Sequence, residues 1–71
     1  MSEYAEKVLQ ALYDEYKRTG NADYCNAAAL SKLSGNKADF GVSQLEAIGF
    51  IKKNTWGEVV LTRSGISYSN E

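Results

Sequence analysis

Histidine is absent from this 71-residue chain, cysteine occurs once, and nine acidic side chains are spread among eight lysines and arginines. Imidazole is the usual proton carrier near neutral pH. Without it, and with neither a phosphate-cradling glycine loop nor a nucleophile elbow, catalysis is not expected. The lone thiol, Cys25, cannot close an internal disulfide, and with no histidine it cannot join a zinc set. No catalytic residue, cofactor or metal is expected. Cys25 precedes an alanine-rich stretch, where a small buried hydrophobe is the ordinary role and a reactive or intermolecular thiol the alternative. The remaining chemical capacity lies in cations and aromatics: Lys37, Phe40, Lys52, Lys53, Trp56 and Arg63. Lysines offer point charges to anionic partners, and aromatic rings offer flat apolar faces.

Charge is uneven along the chain. Residues 1 to 31 hold three cations against five acids, net −2, while residues 32 to 63 hold five cations against three acids, net +2. Glu71 brings the total to −1. The positive excess lies in the half that carries Lys37, Lys52, Lys53 and Arg63, although the sequence pI is only about 5.3.

The length sets one domain, residues 1 to 71, able to bury about 60% of the surface of its unfolded chain. A hydrophobic content of 44% and dispersed charge belong to a folded soluble protein rather than a disordered tail. The longest apolar run is about four residues, far short of a membrane span. Met1-Ser2-Glu3-Tyr4 lacks the features of a signal peptide, so a cytoplasmic protein with no membrane partner is expected.

Several elements must position these residues. Ser2 is a fitting N-cap for a first helix over about Glu3 to Thr19. Acids lie in its first turn, Lys17 and Arg18 in its last, and Gly20 stops it. Tyr4, Ala5, Val8, Leu9, Ala11, Leu12 and Tyr16 recur at three- and four-residue spacing and form one apolar face. Asn21 to Tyr24 reads as a connector able to lend one or two residues to a sheet edge. A short second helix starts near Asn26 and runs to Leu33, ended by Gly35, with Ala28, Ala29, Leu30 and Leu33 able to face inward. The third helix runs from Asn36 or Lys37 to Ile48, with Ala38, Val42 and Leu45 inward and Gly49 as its left-handed stop. That frame leaves Lys37, Asp39, Phe40, Ser43, Gln44 and Ala47 outside or at the margin; a one-residue shift makes Phe40 core instead. Phe50 to Lys53 and Glu58 to Thr62 form a hairpin around Asn54-Thr55-Trp56-Gly57. Two strands alone are marginal, so the hairpin must pack on the helices. One or two helical turns follow over Arg63 to Ser69, directing Ile66 and Tyr68 toward the first helix. The order is that of an α+β domain.

Three stretches, Ala27 to Gly35, Lys37 to Phe50 with its Leu-x-x-x-Gly-Phe-Ile end, and Leu61-Thr62-Arg63-Ser64-Gly65, together resemble a winged helix-turn-helix domain. The likeness is to MarR-type regulators and to short bacterial or prophage proteins such as the YjcQ-like family. The resemblance implies three helices followed by a β-hairpin wing and a short C-terminal helical turn. It also implies a small DNA-binding protein, a transcriptional regulator or prophage-derived, using helix 37–48 and the wing 50–62 on double-stranded DNA. On that implication, Lys37 reaches phosphate or a guanine edge, Gln44 bonds adenine, Ser43 donates to phosphate and Phe40 touches a thymine methyl. Lys52, Lys53 and Trp56 meet backbone, sugar or base from the wing. The plainer alternative has the two lysines solvating an edge strand and Trp56 folding back onto the domain. A competing expectation is a winged-helix protein-interaction or dimerisation module without DNA binding, working through Phe40 and Trp56. The acidic pI, the arginine-free third helix and an outward Phe40 favour it. The first helix is long for the domain and can pair with its two-fold mate, a dimer that a stand-alone reader of palindromic DNA needs.

Overall fold

The computed structural model describes residues 1–70. The first helix, α1, spans Glu3–Thr19. Its N-cap Ser2 accepts a hydrogen bond at Oγ from the Ala5 N–H at 3.1 Å, and Gly20, at φ 79°, donates its N–H to the Tyr16 carbonyl at 2.8 Å. Both ends are thus closed by the residues whose side-chain oxygen or missing Cβ suits them. Ala5, Val8, Leu9 and Leu12 line its buried face.

The second helix, α2, is shorter than expected, Ala27–Ser31. Asn26 caps it by accepting from the Ala29 N–H at 3.1 Å. It stops not at Gly35 but at Lys32, which turns left-handed at φ 61°. A Cβ makes that conformation costly, so the turn is held from outside: Leu33 packs against the core and its N–H donates to Ser31 Oγ at 3.4 Å. Gly35 is therefore the first residue of the next helix, and three residues, Lys32-Leu33-Ser34, join the two. Ala27 is buried and Ala29 exposed, reversing the expected inward set for those two positions.

The third helix, α3, covers Gly35–Ala47, starting and ending about a residue earlier than the expected frame. Ala38, Val42 and Leu45 are buried as the spacing predicts, and so is Gly41. Gly41 lies where α1 and α3 cross most closely: a Cβ there would stand 2.8 Å from the Tyr4 carbonyl oxygen. Beyond Ala47, the Gly49 N–H reaches the Glu46 carbonyl at 3.1 Å and the Phe50 N–H the Leu45 carbonyl at 2.9 Å, with Gly49 at φ 82°. This paired closure turns the chain directly into the next strand.

β1 (Ile51–Lys53) and β2 (Val59–Leu61) pair antiparallel, Ile51 opposite Leu61, Lys52 opposite Val60 and Lys53 opposite Val59. On its other edge Val59 exchanges two 2.9 Å backbone hydrogen bonds with Cys25. The connector thus lends its residue to the sheet at Cys25, just past the expected Asn21 to Tyr24. The last helix, α4 (Arg63–Ser69), is capped by Thr62, whose Oγ1 accepts from the Gly65 N–H at 3.2 Å and donates to the Gly49 carbonyl at 2.6 Å. Gly65 packs directly on the Phe50 backbone, where any Cβ would collide with the Phe50 carbonyl. The Leu-Thr-x-x-Gly spacing therefore joins a cap and a close approach. Tyr68 stacks on Phe50, centroids 4.8 Å apart, and Ile66 lies against the core.

Ala5, Val8, Leu9, Leu12, Ala27, Val42, Leu45, Ile51, Val59 and Leu61 form one cluster shared by α1, α2, α3 and the hairpin. Among the described residues the result is an α+β fold of four helices and a two-stranded hairpin, and no helix is long and apolar enough to cross a membrane.

Candidate binding surface on the hairpin and third helix

On α3 the buried residues Ala38, Gly41, Val42 and Leu45 define one face, so helical spacing puts Asn36, Phe40, Ser43 and Ala47 directly opposite, and all four are exposed. Phe40 is outward, 51% exposed, and is not core. Lys37 and Gln44 fall on the margin next to the start of α1, and this neighbour changes what they can do. The Gln44 Oε1 accepts the Ser2 backbone N–H at 2.9 Å. Bidentate recognition of adenine needs both the amide oxygen and the amide nitrogen, so Gln44 would have to share or give up this hydrogen bond to supply it. The Lys37 ammonium sits 5.6 Å from the centre of the Tyr4 ring, and the Phe40 ring meets the same tyrosine edge-to-face at 6.1 Å. Tyr4 is thus a shared platform for two expected contact residues. Of the four on α3, Ser43 alone is exposed without such an engagement. On the opposite margin are Asp39 and Glu46, so the exposed surface of α3 carries one cation against two acids.

The hairpin is arranged differently. Successive strand residues point to opposite faces, so Lys52 projects from one side of the ribbon and Lys53 from the other, the side shared with Ile51. Sequence adjacency hides this division. The connecting turn is held by Asn54, whose Oδ1 accepts from the Trp56 N–H at 3.0 Å and the Glu58 N–H at 2.9 Å. Its backbone adds the Asn54 N–H to the Glu58 carbonyl at 2.9 Å and accepts from the Gly57 N–H at 3.2 Å. Gly57, at φ 80°, supplies the left-handed step that a bulged hairpin loop requires. Trp56 at the apex is 84% exposed and does not fold back onto the domain. Arg63, also exposed, follows β2 at the hairpin base.

Among the described residues ion pairing is confined to α1, and it leaves out Lys17, Lys32 and Lys37 as well as the hairpin cations. Among the described residues the ion pairs are Lys7 with Glu3 at 3.3 Å and Arg18 with Glu15 at 2.6 Å, both within α1. The Arg18 hydrogen bond holds the Glu15 carboxyl below the usual range, and Glu15 in turn raises Arg18. Lys52, Lys53 and Arg63 form no such pair among the described residues. The outward side of α1 is polar, with Glu3, Lys7, Gln10 and Asp14 exposed, while Tyr4, Tyr13 and Tyr16 are half-buried in their own chain.

Cys25 is half-buried, its thiol 3.6 Å from the Val59 carbonyl. Burial pushes the thiol pKa up, and the charges of Glu15, Glu58 and Asp23 push it further, which makes it a poor nucleophile. The recess beside it is about 80 Å³, small against the hundreds of Å³ typical of ligand pockets. Sequence reasoning missed Asn54, Tyr4, Gly41 and the Ser2 backbone as organisers. Only Asn54 left a usable signal, an asparagine three residues before a turn glycine. No family model, curated protein or solved structure matches this chain.

Proposed function

We propose that this chain is a winged helix-turn-helix domain that binds double-stranded DNA as a small regulatory or prophage-derived protein, led by its hairpin wing. The observation that carries the reading is the hairpin itself: Lys52, Lys53 and Arg63 without ion-pair partners among the described residues, beside an exposed Trp56 on a hydrogen-bonded turn. Supporting it, α2 and α3 are joined by three residues and run directly into the hairpin, the spacing of a helix-turn-helix unit. With Gln44 bound to Ser2 and Lys37 drawn over Tyr4, α3 contributes Ser43, Asn36 and the ring of Phe40, a surface suited to shape and backbone contact. Binding is then mostly electrostatic and weakly selective for sequence.

The test is fluorescence anisotropy of a labelled mixed-sequence duplex titrated at rising salt. The expected result is binding at low salt whose affinity falls linearly on a log–log plot. Absence of any binding at low salt ends this reading. A second reading, a protein-interaction or dimerisation module, draws on Phe40 and Ile48. They are 51% and 52% exposed, Phe40 on the outer face of α3 and Ile48 at its C-cap. It expects a concentration-dependent sedimentation coefficient that Phe40→Ala abolishes.

A further inference from the structure

We infer that Trp56 is a stacking platform for an unpaired nucleobase, so that the hairpin prefers DNA with a single-stranded end or an unstacked position over a continuous blunt duplex. This rests on the DNA-binding reading and names the part of the ligand that the hairpin apex takes. Trp56 is the chain's single tryptophan, 84% exposed, with Thr55 and Gly57 on either side. An indole left in water gives up the burial that aromatic residues normally obtain, and none of the described residues covers it. Its backbone is nonetheless held: the Trp56 N–H is bound by Asn54 Oδ1 at 3.0 Å, and Glu58 and Gly57 close the same turn. A ring on an ordered turn loses little freedom when it stacks.

Charge selects the occupant. Lys52 and Lys53 leave opposite faces of the ribbon. A strand of nucleic acid curling over the apex meets a cation on either side of the base that stacks. The one acid in the hairpin, Glu58, accepts from Asn54 Nδ2 at 3.3 Å. Stacking on an aromatic with flanking cations is how single strands are held without sequence preference. A lipid surface fits less well, because it calls for a broad apolar face and the apex has a single ring between polar and small residues.

The sole tryptophan reports on its own contact. The intact protein is titrated with a short thymidine oligonucleotide, a blunt duplex, and the same duplex with a single-stranded overhang, reading indole fluorescence and DNA anisotropy together. The expected result is quenching by the oligonucleotide and the overhang, and about five- to hundredfold tighter binding of the overhang than of the blunt duplex, the worth of one stacked base. Trp56→Ala removes that preference and Trp56→Phe keeps most of it. Anisotropy that shows binding while the indole stays unquenched, or a Trp56→Ala variant that keeps the preference, overturns the inference and leaves the DNA-binding reading standing. An indole response to anionic phospholipid vesicles but not to DNA overturns it, as does a Trp56→Ala effect confined to self-association. No binding to any of the three DNAs overturns both readings at once.

Discussion

The outer face of α3 and the hairpin both carry lysine and an aromatic, yet among the described residues only the hairpin presents them without partners. On α3 the first residues of α1 lie along the margin: Ser2 takes the Gln44 oxygen, and Tyr4 takes Lys37 and Phe40. At the hairpin, hydrogen bonds go to the backbone of the turn, through Asn54, and the side chains of Lys52, Lys53 and Trp56 are left to solvent. The lesson is that being outside the core and being available are separate properties. A residue can point away from its own buried face and still be used by a neighbouring element.

The comparison breaks most visibly if the hairpin loses its seat. Gly65→Ala puts a Cβ into the Phe50 carbonyl, backbone that cannot move aside as a flexible side chain can. A loss of about 2–3 kcal/mol is expected, which in a domain of this size lowers Tm by roughly 10–20 °C in a thermal melt followed by circular dichroism. An unchanged Tm would mean that the hairpin is not anchored there.

Next in size is the double change Lys52→Ala with Lys53→Ala. Both side chains are exposed and form no ion pair among the described residues, so melting should be unaltered. In anisotropy titrations the slope of log affinity against log salt should become shallower by about 2, one unit for each phosphate contact removed. An unchanged slope would show that the hairpin lysines do not meet phosphate.

A smaller effect sharpens the α3 side. Gln44→Ala removes one partly buried hydrogen bond to Ser2, costing about 0.5–1 kcal/mol in denaturant unfolding. DNA affinity should change by less than about twofold, within the range of neutral surface changes. A large loss of affinity with no change in stability would instead make Gln44 a base contact and reverse the ranking of the two regions.

The smallest effect concerns pH. Because the Cys25 thiol is raised in the folded state, the unfolded chain releases that proton first as pH rises. Its stabilising contribution is complete below the ordinary thiol range, about 8.5, and is lost as pH climbs from there through the folded-state value. Unfolding measured from neutral to alkaline pH should show this decline, and Cys25→Ala should flatten it.

Much of this architecture was legible in local patterns. Ser2, Gly20, Asn26 and Gly49 mark ends through a side-chain oxygen or a missing Cβ, and each acts within a few residues of itself. Ala38, Val42 and Leu45 are inward because a helix repeats every three to four residues. The end of α2 is where local pattern misleads: Gly35 reads as the stop, but Leu33 packs against the core and the chain turns earlier, at Lys32. Trp56 carried no local sign of its exposure, since an indole after a turn can fold back or stand free.

The sequence by itself determined the element order, the caps, the apolar stripes and the concentration of unopposed cations in the second half, because these follow from backbone preference and short-range periodicity. Tertiary structure alone decided which outward side chains stay available. Ser2 and Gln44 stand 42 residues apart and meet only when α1 is laid across α3, at a crossing close enough to need Gly41. Helical spacing defines the face turned from the core; what a neighbouring segment places along its margin depends on packing that no local pattern encodes.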